Sequence, residues 1–174
     1  MRILMAAVTA SALLVGGCGD KAPVKRQPGS WSQKVEIVRL DGKNNPPEAR
    51  AQMQKMFDMM SSMSICLTPE AAAKEDVAKE MGKMSSGGSK CTFDKQDLTG
   101  QTIALSGTCE APKGRSLKIQ MNGSSTATAQ DVTMKMERFT AGASEGVMEM
   151  RVRSSRTGDC KPGDITPPAK GAGQ

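Results

Sequence analysis

The 174 residues carry 24 Lys and Arg against 18 Asp and Glu, a net charge of +6, with 14 Met, five Cys and no His. The lack of histidine removes the usual general base, the usual metal ligand, and any Ser–His or Cys–His pair. Nucleic acid is a poor partner. Only four aromatics occur (Trp31, Phe57, Phe93, Phe139), with no basic–aromatic interleaving on which bases could stack. The net positive charge fits anionic lipid headgroups or lipopolysaccharide as well as plain solubility, and solubility is the simpler reading.

The chain opens with Arg2, an apolar run from Ile3 to Val15, and then Gly16-Gly17-Cys18. The run is shorter than the roughly 20 apolar residues that span a bilayer. A basic start, an apolar middle and small residues before a cysteine have the layout of a bacterial lipoprotein signal. On this reading residues 1–17 are a signal peptide, Cys18 becomes the lipidated first residue, and residues 18–28 form a polar tether. An ordinary cleaved signal with Cys18 as bystander is the alternative. In the sorting rules of Gram-negative lipoproteins, an Asp directly after the lipidated cysteine retains the protein at the inner membrane. Here Gly19 holds that place, which predicts the periplasmic face of the outer membrane. Cleavage removes one cation, Arg2, leaving 23 against 18 acidic residues and a mature charge of +5.

From Trp31 to about Leu40, Trp31, Val35 and Ile37 share one parity while Ser32, Lys34 and Glu36 share the other, which predicts a half-buried first strand. Asp41-Gly42 and Asn44-Asn45-Pro46-Pro47 are turn chemistry. A helix follows with Asn45 as cap, and Ala49, Met53, Met56, Phe57 and Met60 make its apolar face. Ser61 to Leu67 reads as a short strand. Thr68-Pro69-Glu70 then opens a second helix whose face is Ala73, Val77, Met81 and Met84.

Beyond Cys91 the pattern has period two. Cys91–Leu98 and Ile103–Cys109 flank Thr99-Gly100 as a hairpin. Leu117, Ile119 and Met121 alternate with polar residues, as do Val132, Met134 and Met136, and Met148, Met150 and Val152. Setting Met136 opposite Met148, across a turn at Ala141–Gly146, places Lys135 opposite Glu149 and Val132 opposite Val152. One register thus satisfies both faces. The predicted fold is α+β: a curved antiparallel sheet of about 6–7 strands, with two helices inserted after the first strand and laid on its concave side. It forms a single domain over 29–168, with a loose tail at 169–174 and loose chain already expected from Pro162.

Cys66, Cys91, Cys109 and Cys160 form an even set in an exported chain, which reads as two disulfides. A zinc site would place ligands close together, as in C-x-x-C, and none are so placed. Three pairings are open. The hairpin favours Cys91–Cys109, and hence Cys66–Cys160, with a three-residue loop.

Pro28-Gly29-Ser30-Trp31, Cys66-Leu67-Thr68-Pro69-Glu70, the Cys91…Cys109 hairpin and Gly158-Asp159-Cys160 occur in this order. In this the chain resembles, from Pro28 to about Pro168, the bacterial secreted family called domain of unknown function 3617. The resemblance implies domain limits and an envelope location. It brings no catalytic residue, and where that family often carries Glu after the tryptophan this chain has Ser32.

Two binding readings follow. The leading one is a non-enzymatic envelope module with an apolar groove between sheet and helices for a lipid-like ligand. The alternative is a Cu(I) site of thioethers from Met53, Met56, Met59, Met60 and Met63, with Met59 and Met63 best placed because they lie off the helix's apolar face. Core packing of the methionines is the plainer account of most of them. An envelope hydrolase is a distant third, since no acidic pair is poised for acid–base work. Gly82 and Gly87 have the spacing of a phosphate loop, but Gly88 stands where its lysine should be.

Overall fold

The computed structural model describes residues 22–43, 45–75 and 90–166. The signal segment, Cys18, the expected helical residues Val77, Met81 and Met84, the Gly82/Gly87 pair and the tail at 169–174 lie outside them.

The elements are β1 (Gly29–Gly42), α1 (Pro47–Ser61), β2 (Ile65–Leu67), α2 (Pro69–Ala73), β3 (Lys90–Asp97), β4 (Thr102–Ala111), β5 (Arg115–Ser125), β6 (Ala129–Thr140) and β7 (Ala143–Gly158). They form one seven-stranded open sheet in the order β2-β1-β7-β6-β5-β4-β3, with each named pair antiparallel. The first strand therefore pairs with the last, and the two helices sit between β1 and β3 in sequence.

The β6–β7 register follows the alternation: Met136 faces Met148, Lys135 faces Glu149 and Val132 faces Val152. The turn is tighter than expected. Ala141 and Gly142 both have positive φ, 49° and 79°, and Thr140 already pairs with Ala143. Two consecutive left-handed residues suit the right-handed strand twist in a two-residue hairpin. A register shift between Arg138 and Phe139 absorbs the difference. In the β3–β4 hairpin, Cys91 faces Cys109, and a shift between Phe93 and Lys95 replaces the expected three-residue loop by a longer one.

On the apolar face, Ile37, Met150, Met134, Met121 and Leu105 form one row across five strands. Beside it run Met148, Met136 and Ile119, which ends on Gly107 and Phe93. Ile37, Ile119 and Leu105 are almost fully buried, and the five methionines of β5–β7 are half-buried. At Gly107 a Cβ would stand 2.6 Å from the Phe93 ring, so the glycine makes room for it.

The helices depart from the sequence expectation. Asn45 does not cap α1; Pro46 holds the cap position without a side-chain bond, and the Asn45 amide donates to the Asp41 carbonyl. More important, α1 lies along the edge of β1, beyond β2. The Gln54 side chain accepts from the Ile37 N–H (2.8 Å) and donates to the Val35 carbonyl (2.9 Å), while Arg50 donates to the Ile37 carbonyl (2.9 Å). A strand edge presents unpaired backbone groups that need polar partners. The contact face of α1 is therefore built on Arg50 and Gln54, with Met53 and Phe57 half-buried beside them.

Helix α2 begins as predicted, with the Thr68 hydroxyl accepting from the Ala71 N–H. It ends at Ala73, so of the expected face only Ala73 lies among the described residues. The Lys25 ammonium takes the Ala73 carbonyl at 2.8 Å, supplying a cation where the helix leaves a carbonyl free. Ala72 packs with Trp31 and Leu67.

Two stretches of loose-looking composition are docked. Val24 and Gln27 donate backbone bonds to Gly100 and Ala127, and Arg26 pairs with Glu75 and stacks over Trp31 at 5.0 Å. At the other terminus, Ile165 bridges Ile65 and Asp164 accepts from the Ser64 hydroxyl, so the chain from Pro162 is held at least to Ile165.

Candidate binding surfaces

The four cysteines form Cys66–Cys160 and Cys91–Cys109. The first joins β2 to the chain after β7, and the second crosses the β3–β4 pair. Neither leaves a thiolate for chemistry or metal binding.

The five candidate metal ligands divide. Met53 is half-buried against the β1 side, whereas Met56, Met59, Met60 and Met63 are 48, 67, 53 and 43% exposed. Among the described residues they are four of the six large apolar side chains that stand exposed. The sequence pattern placed Met56 and Met60 on the buried face of α1 and Met59 and Met63 off it. With the polar Arg50–Gln54 face turned to β1, all four fall together on the outer side.

The expected apolar groove between helix and sheet is not what α1 builds. The cleft beside the C-terminal end of α1, about 620 Å³, is polar, lined by Ser32, Lys34, Asp58, Ser61, Arg153 and Ser155 among others. A second cleft, about 350 Å³, opens at the opposite end of the sheet between β4, β5 and β6. Its walls are Cys109, Ala111, Leu117 and Phe139, with Arg115 and Arg138 beside them and Glu145 among its lining. Cys109 faces Leu117, and Leu117 faces Arg138, so a row that begins apolar ends in a guanidinium. The sequence pattern marked Leu117 and Cys109 as strand residues but did not single out Ala111, Arg115, Arg138 or Phe139. The signal that could have found them is Arg138, a cation at an apolar parity.

Ion pairs cross the polar face of the sheet. Arg151 binds Asp131 through two nitrogens and Arg153 binds Glu36. The Arg151 bond holds the Asp131 carboxyl below its ordinary range and raises the Arg151 guanidinium above its own. Asp164 is likewise lowered, first by the Ser64 hydroxyl and then by the Lys161 backbone N–H.

The family profile described as "Protein of unknown function (DUF3617)" matches residues 26–160. The chain belongs to this family. No curated protein and no solved structure matches. The family limits begin at Arg26, the residue that stacks on Trp31, and end at Cys160, the partner of Cys66. Membership carries no activity with it, so function has to be argued from the surfaces themselves.

Proposed function

We propose that this DUF3617 protein is a lipid-anchored binding module on the periplasmic face of the outer membrane. Cys18 carries the anchor, and the cleft between β4, β5 and β6 takes an anionic amphiphile. The observation that carries the ligand is the joint lining of that cleft: Cys109, Ala111 and Leu117, which share one face of β4 and β5, for an alkyl chain, and Arg115 and Arg138 for its charged head. Its volume lies in the range of small-ligand sites, which pair apolar walls with a few placed polar groups. Two arginines against one Glu145 leave the cleft net positive. Planar guanidinium groups suit carboxylate and phosphate alike.

The test is titration of the full chain with a naturally fluorescent fatty acid. Saturable binding is expected, weakened at least tenfold in Arg115→Gln/Arg138→Gln. The same variant should bind the matching long-chain alcohol as the wild type does. Absence of saturable binding, or equal loss for acid and alcohol, overturns the ligand assignment. The anchor is tested separately, by intact mass of the membrane fraction: an acylated Cys18 is expected, and a soluble mature chain with a free thiol refutes it.

A further inference from the structure

Four thioethers stand exposed on one side of α1 and the turn after it. Met56 is followed by Met59 and Met60 at the i+3 and i+4 spacings, and Met63 follows Met60 and Met59 at the same two spacings. Residues three and four apart on a helix are surface neighbours, with Cβ atoms roughly 5–6 Å apart. Met63 lies just past the end of α1, where its N–H donates to the Met60 carbonyl at 3.2 Å and continues the winding, so the four outline a diamond on the order of 10 Å long, with Met56 and Met63 at its tips and Met59 and Met60 across its waist. Each tip makes a triad with the waist. Methionine has three rotatable bonds in its side chain, so three sulfurs can swing to one point.

We propose that this diamond is a soft-metal site for Cu(I), independent of the amphiphile cleft. Packing does not require these side chains, since they are 43–67% exposed and the face of α1 bound to β1 is made by Arg50 and Gln54. Docking alone would be served by leucine or isoleucine as well. What methionine adds is a neutral sulfur donor, which selects Cu(I) and its soft analogue Ag(I) over Zn(II). Competing ligands are few. The chain has no histidine, Cys66, Cys91, Cys109 and Cys160 are in disulfides, and among the described residues no three of Cys, Asp and Glu converge.

Thioethers carry no proton in the working pH range. Binding here is therefore independent of pH, unlike sites of histidine or thiolate, which must release protons to bind metal.

The experiment uses the full chain carrying Cys18→Ser, so that no free thiol competes, with ascorbate holding copper as Cu(I) and leaving the disulfides intact. Competition against a chromophoric Cu(I) chelator should show one tight equivalent, with affinity unchanged between pH 5.5 and 7.5 (on the order of twofold at most). Met59→Leu/Met60→Leu removes the waist shared by both triads and should weaken binding at least 100-fold. Met56→Leu or Met63→Leu alone leaves one triad and should cost far less. Leucine at Met134, Met136, Met148 and Met150 should leave copper binding unchanged. Ag(I) should shift the methyl resonances of Met56, Met59, Met60 and Met63, and Zn(II) should shift none.

No competition by the parent chain overturns the assignment. So does binding that survives Met59→Leu/Met60→Leu with the fold intact, binding lost in the sheet variant instead, or affinity falling steeply toward pH 5.5.

Discussion

The methionines of β5–β7 and those of α1 are the same residue in opposite roles. Met121, Met134, Met136, Met148 and Met150 sit half-buried in rows with Ile37, Ile119 and Leu105, where register places each against another apolar side chain. Met56 and Met60 have the helical spacing of a core stripe and yet face out, beside Met59 and Met63. The difference lies in what each element packs against. A sheet face offers apolar surface and takes apolar residues. A strand edge offers N–H and C=O groups and takes Arg50 and Gln54. Amphipathic periodicity therefore signals burial only where the partner is a face.

The largest expected effect comes from cutting what ties the helical region to the sheet. Cys66–Cys160 closes a separation of 94 residues and Cys91–Cys109 one of 18. Loop-closure entropy assigns about 4–5 kcal/mol to the first and about 3 kcal/mol to the second. Denaturant unfolding of Cys66→Ala/Cys160→Ala against Cys91→Ala/Cys109→Ala should show that order. Native-state hydrogen exchange should speed up first in α1 and β2 in the former variant, while β5 and β6 stay protected. Uniform acceleration would mean that the helical edge and the sheet open as one unit.

Next comes the edge contact itself. Gln54→Ala leaves the Ile37 N–H and the Val35 carbonyl without their partners, and should cost about 1–3 kcal/mol by thermal or chemical denaturation. Each single Met→Leu swap in the sheet should cost less than about 1.5 kcal/mol, since volume and polarity are nearly kept. If Gln54→Ala costs nothing, α1 is held by Met53 and Phe57 and the polar-face account fails.

What the sequence revealed follows the same division. The β6–β7 register was legible because two faces constrain it at once, apolar pairs on one side and Lys135 opposite Glu149 on the other. The Cys91–Cys109 pair was legible from its hairpin. The seat of α1 was not, because nothing local tells whether a helix will meet a face or an edge. Nor was the docking of residues 24–27. Pro- and Lys-rich composition reads as a tether, and only the folded chain brings Arg26 over Trp31 and Lys25 to the end of α2. The cleft between β4, β5 and β6 was hard to find for a third reason: apart from Arg138 at an apolar parity nothing local marks it, and cross-strand register, not neighbourhood in the chain, brings Arg115, Leu117, Arg138 and Phe139 together.

Asp164 tests the other tie between the helical edge and the C-terminal chain. Its carboxyl is held below its ordinary 3.8, chiefly by the Ser64 hydroxyl. A depressed folded-state value means stabilisation that is present above the unfolded value and lost as pH falls through the folded one. Asp164→Asn should therefore be less stable than the wild type at pH 7. The gap should narrow only below 3.8, as the wild type is protonated. Melting curves of both proteins from pH 7 to about pH 2 check this. A gap that closes already near pH 5 would assign the effect to another group.

The smallest expected effect sharpens the comparison most. Met59→Ala removes a side chain that is 67% exposed, with little to leave behind as a cavity, and should change stability by no more than about 0.5 kcal/mol. Ile119→Ala empties a site that is 1% exposed, between Gly107 and Met136, and should cost about 2–5 kcal/mol. The two are read by the same thermal melt, in the absence of copper. Equal costs would mean that the α1 methionines are packed after all, and a packed thioether is not free to turn toward a metal. A null effect at Met59 beside a large one at Ile119 leaves the four sulfurs outside the structural accounting of the fold.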